Sequence, residues 1–273
     1  MAAAMRAVNQ PQSWWGWHGW DKPEPMSVVQ LMQAGTMPPR LAAAFWLALE
    51  HGASFIFAAD PPGSGKTTVL SALLVFAPPG MTAYFTKGWG ETFELPPQND
   101  GYPTYMMVNE MSDHLPVYSW GPYVVRTFEL LAEGYSLLTT VHADTIEEVV
   151  DQLVDEVGVA REHVAALTFI VPLAVRHHEG QTLRRVLDIG FLRTGDGAID
   201  IGRVATWNER NDTFSILEQA DERAAFAERL GITEDLLERE LPRRTAFLER
   251  LLADGVAAID AVEQAVAAYD GDA

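Results

Sequence analysis

At 273 residues with 48% hydrophobic content, the chain is long enough to bury a sizeable core, as one large domain or one domain with a small appendage. The absence of cysteine excludes a disulfide framework and a thiolate metal site and fits a reducing, cytoplasmic setting. A formal net charge of -19 argues against nucleic acid and anionic lipid as partners, because both are repelled at long range.

No apolar run reaches membrane-spanning length and the N-terminus lacks the apolar core of a signal peptide, so neither a span nor a leader is expected. Lys22, Lys66 and Lys87 are the only lysines. This acid-rich, lysine-poor balance suits a protein kept soluble in high salt, as in a halophile, and is equally what G+C-rich codon usage produces.

Residues 1–25 carry Trp14, Trp15, Trp17 and Trp20 among Gly, Pro and Gln, too irregular for a helix or strand period, and read as an arm that packs on the domain or on a partner. From Ser27 to His51 the pattern is a helix pair broken at Gly35 to Pro39. Ser54 to Ala59 (SFIFAA) is a short continuous apolar run, as expected for a strand covered on both faces. Thr68 to Phe76 is helical, Met81 to Thr86 and Tyr105 to Asn109 read as strands, and Val124 to Glu133 is an amphipathic helix ending at Gly134. Ser136 to Val141 is a further strand and Glu147 to Val157 a helix. Such alternation implies an α/β layered domain with a mostly parallel sheet and right-handed crossovers.

Ala165 to Val175, Arg184 to Leu192 and the turn-rich GDGAIDIG and VATWNERNDTFSIL look like a β-meander on one sheet edge. Beyond Ala220 come three helices, Asp221 to Leu230, Glu234 to Leu252 and Val256 to Tyr269, the second carrying Pro242, where a kink or break is expected. The expected division is an arm at 1–25, an ATPase domain at 26–218 and a helical region at 219–273.

The run Asp60 to Thr68 (DPPGSGKTT) follows the SFIFAA strand and opens a helix, the context a phosphate-binding loop needs. Pro62, Gly63, Ser64, Gly65, Lys66, Thr67 and Thr68 are the candidate nucleotide-binding residues. Backbone N–H groups around Gly63 and Gly65 can close on phosphate oxygens, Lys66 can bridge the β- and γ-phosphates of ATP, and the Thr67 hydroxyl can ligate Mg2+. Asp60 stands where the usual pattern has glycine, placing a carboxylate near the phosphates. Glu110, at the end of a buried-looking strand, reads as a metal-adjacent acid. His142, also at a strand end, reads from the residues alone more readily as a satisfied polar group than as a functional one.

The flanks LMQAGTMPPRLAAAFWLALEHGASFIF and LLVFAPPGMTAYF, with YMMVNEMSDH, AEGYSLLTTVHADTIEEVVDQL and GITEDLLERELPRRTAFLERLLADG, resemble the archaeal branch of the type II/type IV secretion, type IV pilus and archaellum ATPase superfamily. The resemblance covers about Ser27 to the C-terminus. It implies a RecA-like P-loop fold, ATP and Mg2+ as cofactors, a ring of subunits, and a membrane platform protein as partner. By position it implies that Glu110 is the Walker B acid and a Mg2+ ligand with Thr67, that Asp113 is the acid three residues beyond, and that His142 reads the γ-phosphate.

The chain also departs from the family. Gly88 and Trp89 stand where the family has a Glu-Asp pair, with Glu91 and Glu94 nearby at the wrong spacing. The stretch between Leu95 and Tyr105 is short and lacks the arginines that reach a neighbouring subunit, and little chain precedes Ser27 for an N-terminal domain. Two functions are therefore open: a secretion-type motor ATPase, or a degenerate nucleotide-binding paralogue that regulates or co-assembles with a full-length motor. A kinase or GTPase is disfavoured, since neither a guanine-reading Asn-Lys-x-Asp motif nor an arginine-rich lid is found.

Overall fold

In the computed structural model, which describes residues 6–9, 25–61, 63–98, 101–178, 180–195 and 198–269, the SFIFAA run forms a central strand of the sheet. Pro62 and the four clustered tryptophans of the arm lie outside the described residues. The strands in chain order are β1 (Arg6–Val8), β2 (Phe55–Ala58), β3 (Thr82–Phe85), β4 (Thr104–Met107), β5 (Ser136–Val141), β6 (Phe169–His178), β7 (Gln181–Val186), β8 (Asp188–Gly195), β9 (Ala198–Asn208) and β10 (Thr213–Ile216). The helices are α1 (Val28–Gln33), α2 (Pro39–Glu50), α3 (Lys66–Leu73), α4 (Pro122–Ala132), α5 (Ile146–Asp151), α6 (Arg161–Val164), α7 (Ala220–Leu230), α8 (Glu234–Ala253) and α9 (Ile259–Ala267). A 3-10 turn at Leu74–Phe76 prolongs α3, and a π-helical turn at Gln152–Glu156 prolongs α5.

The sheet runs β1-β3-β4-β5-β2-β6-β8-β9-β10, with β7 paired back on β6. Pairing is parallel from β1 to β6 and antiparallel beyond, so the expected α/β fold with a mostly parallel sheet carries the expected meander on one edge. One strand, β5, separates β2 from β4.

The alternation of side chains along β2 explains why it is apolar throughout. Phe55 and Phe57 enter a core shared with α1, α2, α3 and the C-terminal helices, while Ile56 and Ala58 enter a second core under α4, α5 and α6. In the first core Phe55 meets Phe45 at 5.6 Å and Phe169 at 5.5 Å, and Phe169 meets Phe226 at 5.4 Å between ring centroids. Burying each such side chain stabilises the fold by about 1.5–3 kcal/mol.

Local signals place the helix ends. Ser27 and Gln30 form a reciprocal capping box at α1, Pro39 opens α2, Thr145 caps α5, and Gly231 at φ 66° closes α7.

Four expectations need correction. The N-terminal stretch contributes a strand, β1, which pairs parallel to β3 from Arg6 opposite Thr82 to Val8 opposite Tyr84. The segment Arg184 to Leu192 is two strands: β7 pairs with β6 up to Val186 opposite Leu173, and after Leu187, whose N–H donates to the Pro172 carbonyl, the chain continues as β8, which also pairs with β6. Helix α8 runs unbroken through Pro242. Pro242 is exposed, so the Glu238 carbonyl it leaves unbonded faces the solvent side, while Leu241 and Arg244 hold the buried face. The last helix begins at Ile259 instead of Val256.

The C-terminal helices dock through aromatic contacts: Trp46 of α2 stacks on Phe76 at 4.8 Å and meets Phe247 at 5.8 Å and Tyr269 at 4.8 Å. Among the described residues no helix is long and apolar enough to cross a membrane.

Candidate nucleotide-binding site

Because β5 lies between β2 and β4 and all three run parallel, the segments just beyond their C-terminal ends converge. In open parallel sheets this is where ligands bind. The loop after β2 carries Asp60, Pro61, Gly63, Ser64 and Gly65, the segment after β4 carries Glu110, and His142 follows β5 directly.

Gly63 and Gly65 sit at φ 72° and 98°, a region that disfavours a side chain, and Gly65 caps α3. The Lys66 side chain is buried and its Nζ donates to the Ala59 carbonyl at 2.6 Å. Burial pushes the Lys66 ammonium below the usual lysine range, opposed by the carboxylates of Glu110, Asp60 and Asp144. Ser64 is buried, with its N–H on the Pro61 carbonyl, and Thr67 and Thr68 are half-buried in the first turn of α3. A left-handed glycine pair, a buried lysine poised on a carbonyl and a helix N-terminus together fit a polyphosphate. Asp60 is exposed, but its charge acts on Lys66, and its N–H is held by Asp144 Oδ1 at 3.0 Å.

Glu110 lies beyond β4 where pairing to β5 continues: Val108 N–H donates to the Leu138 carbonyl and Met111 N–H to the Thr140 carbonyl. Its Oε1 accepts from Ser112 Oγ at 3.1 Å and lies 3.2 Å from His142 Nε2. The other ring nitrogen of His142, Nδ1, lies 2.8 Å from the Asp60 carbonyl. Its hydrogen bond to Glu110 holds the imidazole above the usual histidine value, against burial. Lys66, Glu110 and His142 are therefore brought together. Asp113 is not: its side chain is 70% exposed and meets His114 at 3.9 Å.

Near the expected Glu-Asp position, Glu91 and Gly88 are both committed to local structure. Glu91 is buried and accepts from Tyr84 Oη at 2.6 Å, Lys87 N–H at 2.7 Å and Phe93 N–H at 2.6 Å, so it organises its own loop. Gly88 presses on the Pro116–Val117 backbone so closely that a Cβ there would lie 2.3 Å from the Pro116 oxygen.

Two residues of the site were missed in the sequence. Arg184 on β7 reaches across the sheet and donates from Nε and Nη2 to the Gly63 carbonyl at 3.2 and 3.0 Å. His114 brings its ring to within 5.8 Å of the His142 ring. The alternation along QTLRRV marks Arg184 as facing opposite Arg185, but no local pattern says that its face lies over the loop.

No protein-family model matches the chain. Two uncharacterized proteins of Methanocaldococcus jannaschii are each 25% identical to it. MJ1287 aligns over 253 residues, covering 82% of this chain and 90% of that protein. MJ0900 aligns over 268 residues, covering 84% of this chain and 46% of that protein. Among solved structures, the VirB11 ATPase of the Brucella suis type IV secretion system shows 15% identity and a TM-score of 0.40, over 60% of this chain and 59% of that one. The Legionella pneumophila ATPase DotB shows 12% identity and a TM-score of 0.36, over 84% of this chain and 58% of that one. The chain thus spans less than two thirds of either solved ATPase and under half of MJ0900.

Proposed function

We propose that this chain binds ATP with Mg2+ at residues 62–68 and acts as a motor-type ATPase domain. The observation that carries the reading is the convergence of Lys66, Glu110 and His142 beyond neighbouring parallel strands. Backbone N–H groups from Gly63 to Thr68 and the Lys66 ammonium would hold the phosphates, and Thr67 with Glu110 would hold Mg2+, whose charge offsets that of the phosphate oxygens. On this reading Glu110 would accept a proton from water, and His142, whose Nδ1 lies 2.8 Å from the Asp60 carbonyl, would donate to a phosphate oxygen. Arg184 adds a cation on the same loop. The sequence resemblance extends the reading to a ring, or a hetero-assembly with a longer paralogue, working at the membrane on a pilus or secretion platform.

A second reading is favoured by one specific observation. Glu91 is committed to three donors in its own loop and Gly88 has no room for a side chain, so the second acidic group expected near the attacking water is missing from its place. On that reading the chain holds nucleotide with little turnover. Steady-state phosphate release in high salt separates the two. Turnover that falls on the order of 10²-fold in Glu110→Gln supports the enzyme. Wild-type turnover no higher than that of Lys66→Ala, with ATP still bound, supports the holder.

A further inference from the structure

We propose that Glu110, His114 and His142 form a site for a first-row transition-metal dication of the Zn2+ or Co2+ kind. One ligand atom from each lies within 4.8 Å of the others. The separation of His142 Nε2 from Glu110 Oε1, 3.2 Å, is close to the edge of about 3.3 Å of a tetrahedron with metal–ligand bonds of about 2.0–2.1 Å.

The hydrogen bonding sets the polarity of the ring. The Asp60 carbonyl can only accept, so Nδ1 of His142 carries a hydrogen, and a neutral ring then turns the Nε2 lone pair toward an anionic carboxylate oxygen. Once Nε2 gives up its proton, that nitrogen and the Glu110 oxygen, 3.2 Å apart, can hold one cation between them. A metal-bound histidine whose second nitrogen donates to a carbonyl has this arrangement, and Ser112 Oγ, donating to the same Glu110 oxygen, orients the carboxylate from outside. The backbone of His142 is fixed in turn by Gln152 Nε2, which donates to its carbonyl at 2.6 Å.

His114 completes the set from an exposed position, 65% accessible, with its ring 5.8 Å from that of His142 and its Nε2 3.9 Å from Asp113 Oδ1. A ligand set of two imidazoles and one carboxylate favours zinc, cobalt or nickel over magnesium, which prefers all-oxygen coordination. Lys66 opposes a further cation nearby, and Asp60 and Asp144 offset it. No nucleotide is required, although an ion here engages Glu110 and so couples to any turnover.

The test uses the untagged full chain, stripped with chelator, without nucleotide and in excess Mg2+. Co2+ is titrated and followed by visible absorption, with Zn2+ as competitor by calorimetry. One Co2+ per chain, displaced by Zn2+ and held at least about tenfold more weakly by His114→Ala with an unchanged circular dichroism spectrum, is the expected result. Absence of saturable Co2+ and Zn2+ uptake overturns the site and leaves a proton between His142 and Glu110. Equal affinity in His114→Ala overturns it as well.

Discussion

Arg184 and Gly63 are 121 residues apart in the chain, yet the guanidinium donates twice to the glycine carbonyl, at 3.2 and 3.0 Å. The β6–β7 hairpin therefore rests on the candidate phosphate loop and holds that carbonyl turned toward the arginine.

Arg184→Ala should loosen the loop without unfolding the domain, because the arginine is exposed. Charge-assisted hydrogen bonds at such a site are worth about 1.5 kcal/mol, so affinity for a fluorescent ATP analogue should fall by about tenfold. Unchanged affinity with an unchanged melting temperature would show that the contact is incidental.

Gly88 lies at φ 72° with the Pro116 carbonyl already accepting from Trp89 N–H at 2.8 Å. Gly88→Ala should therefore destabilise by about 1–3 kcal/mol through overpacking, with a further contribution from the left-handed backbone. Urea unfolding measures this. A neutral substitution would mean that the loop at residues 116–117 yields freely, and an acid at position 88 would then become feasible.

Asp212 holds buried Arg185 through two bonds of 2.9 Å and accepts from Trp207 Nε1 at 2.8 Å. These contacts, the arginine first, depress its carboxyl from 3.8 to about 2. A depressed carboxylate stabilises the fold above its unfolded value, and that stabilisation is lost as pH falls through the folded one. Asp212→Asn should thus be less stable than wild type at neutral pH, and the gap should close between about pH 4 and pH 2. A gap independent of pH in thermal melts would assign the effect to packing alone.

What was legible in the sequence follows from locality. SFIFAA, with Asp60 to Thr68 behind it, carries its own periodicity, glycines and helix start, and Glu110 and His142 stand at the ends of apolar runs. What was not legible depends on distant pairing. Nothing near Arg184 reports Gly63, nothing near Gly88 reports Pro116, and His114 gains meaning only once β4 and β5 are neighbours. Pro242 misled for a related reason: its cost depends on which way the helix faces, and here it faces solvent.

The final prediction concerns how the C-terminal helices are held. Arg244 and Glu240 on α8 are both buried, 3.6 Å apart, and Arg244 Nη2 also reaches Glu50 Oε2 of α2 at 2.5 Å while its guanidinium lies 4.9 Å from the Trp46 ring centre. Removing one partner leaves the other charge buried, which typically costs about 3–5 kcal/mol. Arg243, 2.8 Å from Glu240, softens the loss, so Arg244→Leu should fall at the lower end of that range. Replacing both charges at once leaves no orphan, and the pair Arg244→Leu, Glu240→Leu should recover most of the stability, since Trp46, Phe247 and Tyr269 remain packed across the junction. A double-mutant cycle in guanidinium chloride measures the coupling directly. If the double variant is as unstable as the sum of the singles, the charges themselves hold α8 to α2. If it recovers, the aromatic cluster supplies the attachment, and the charges set its register.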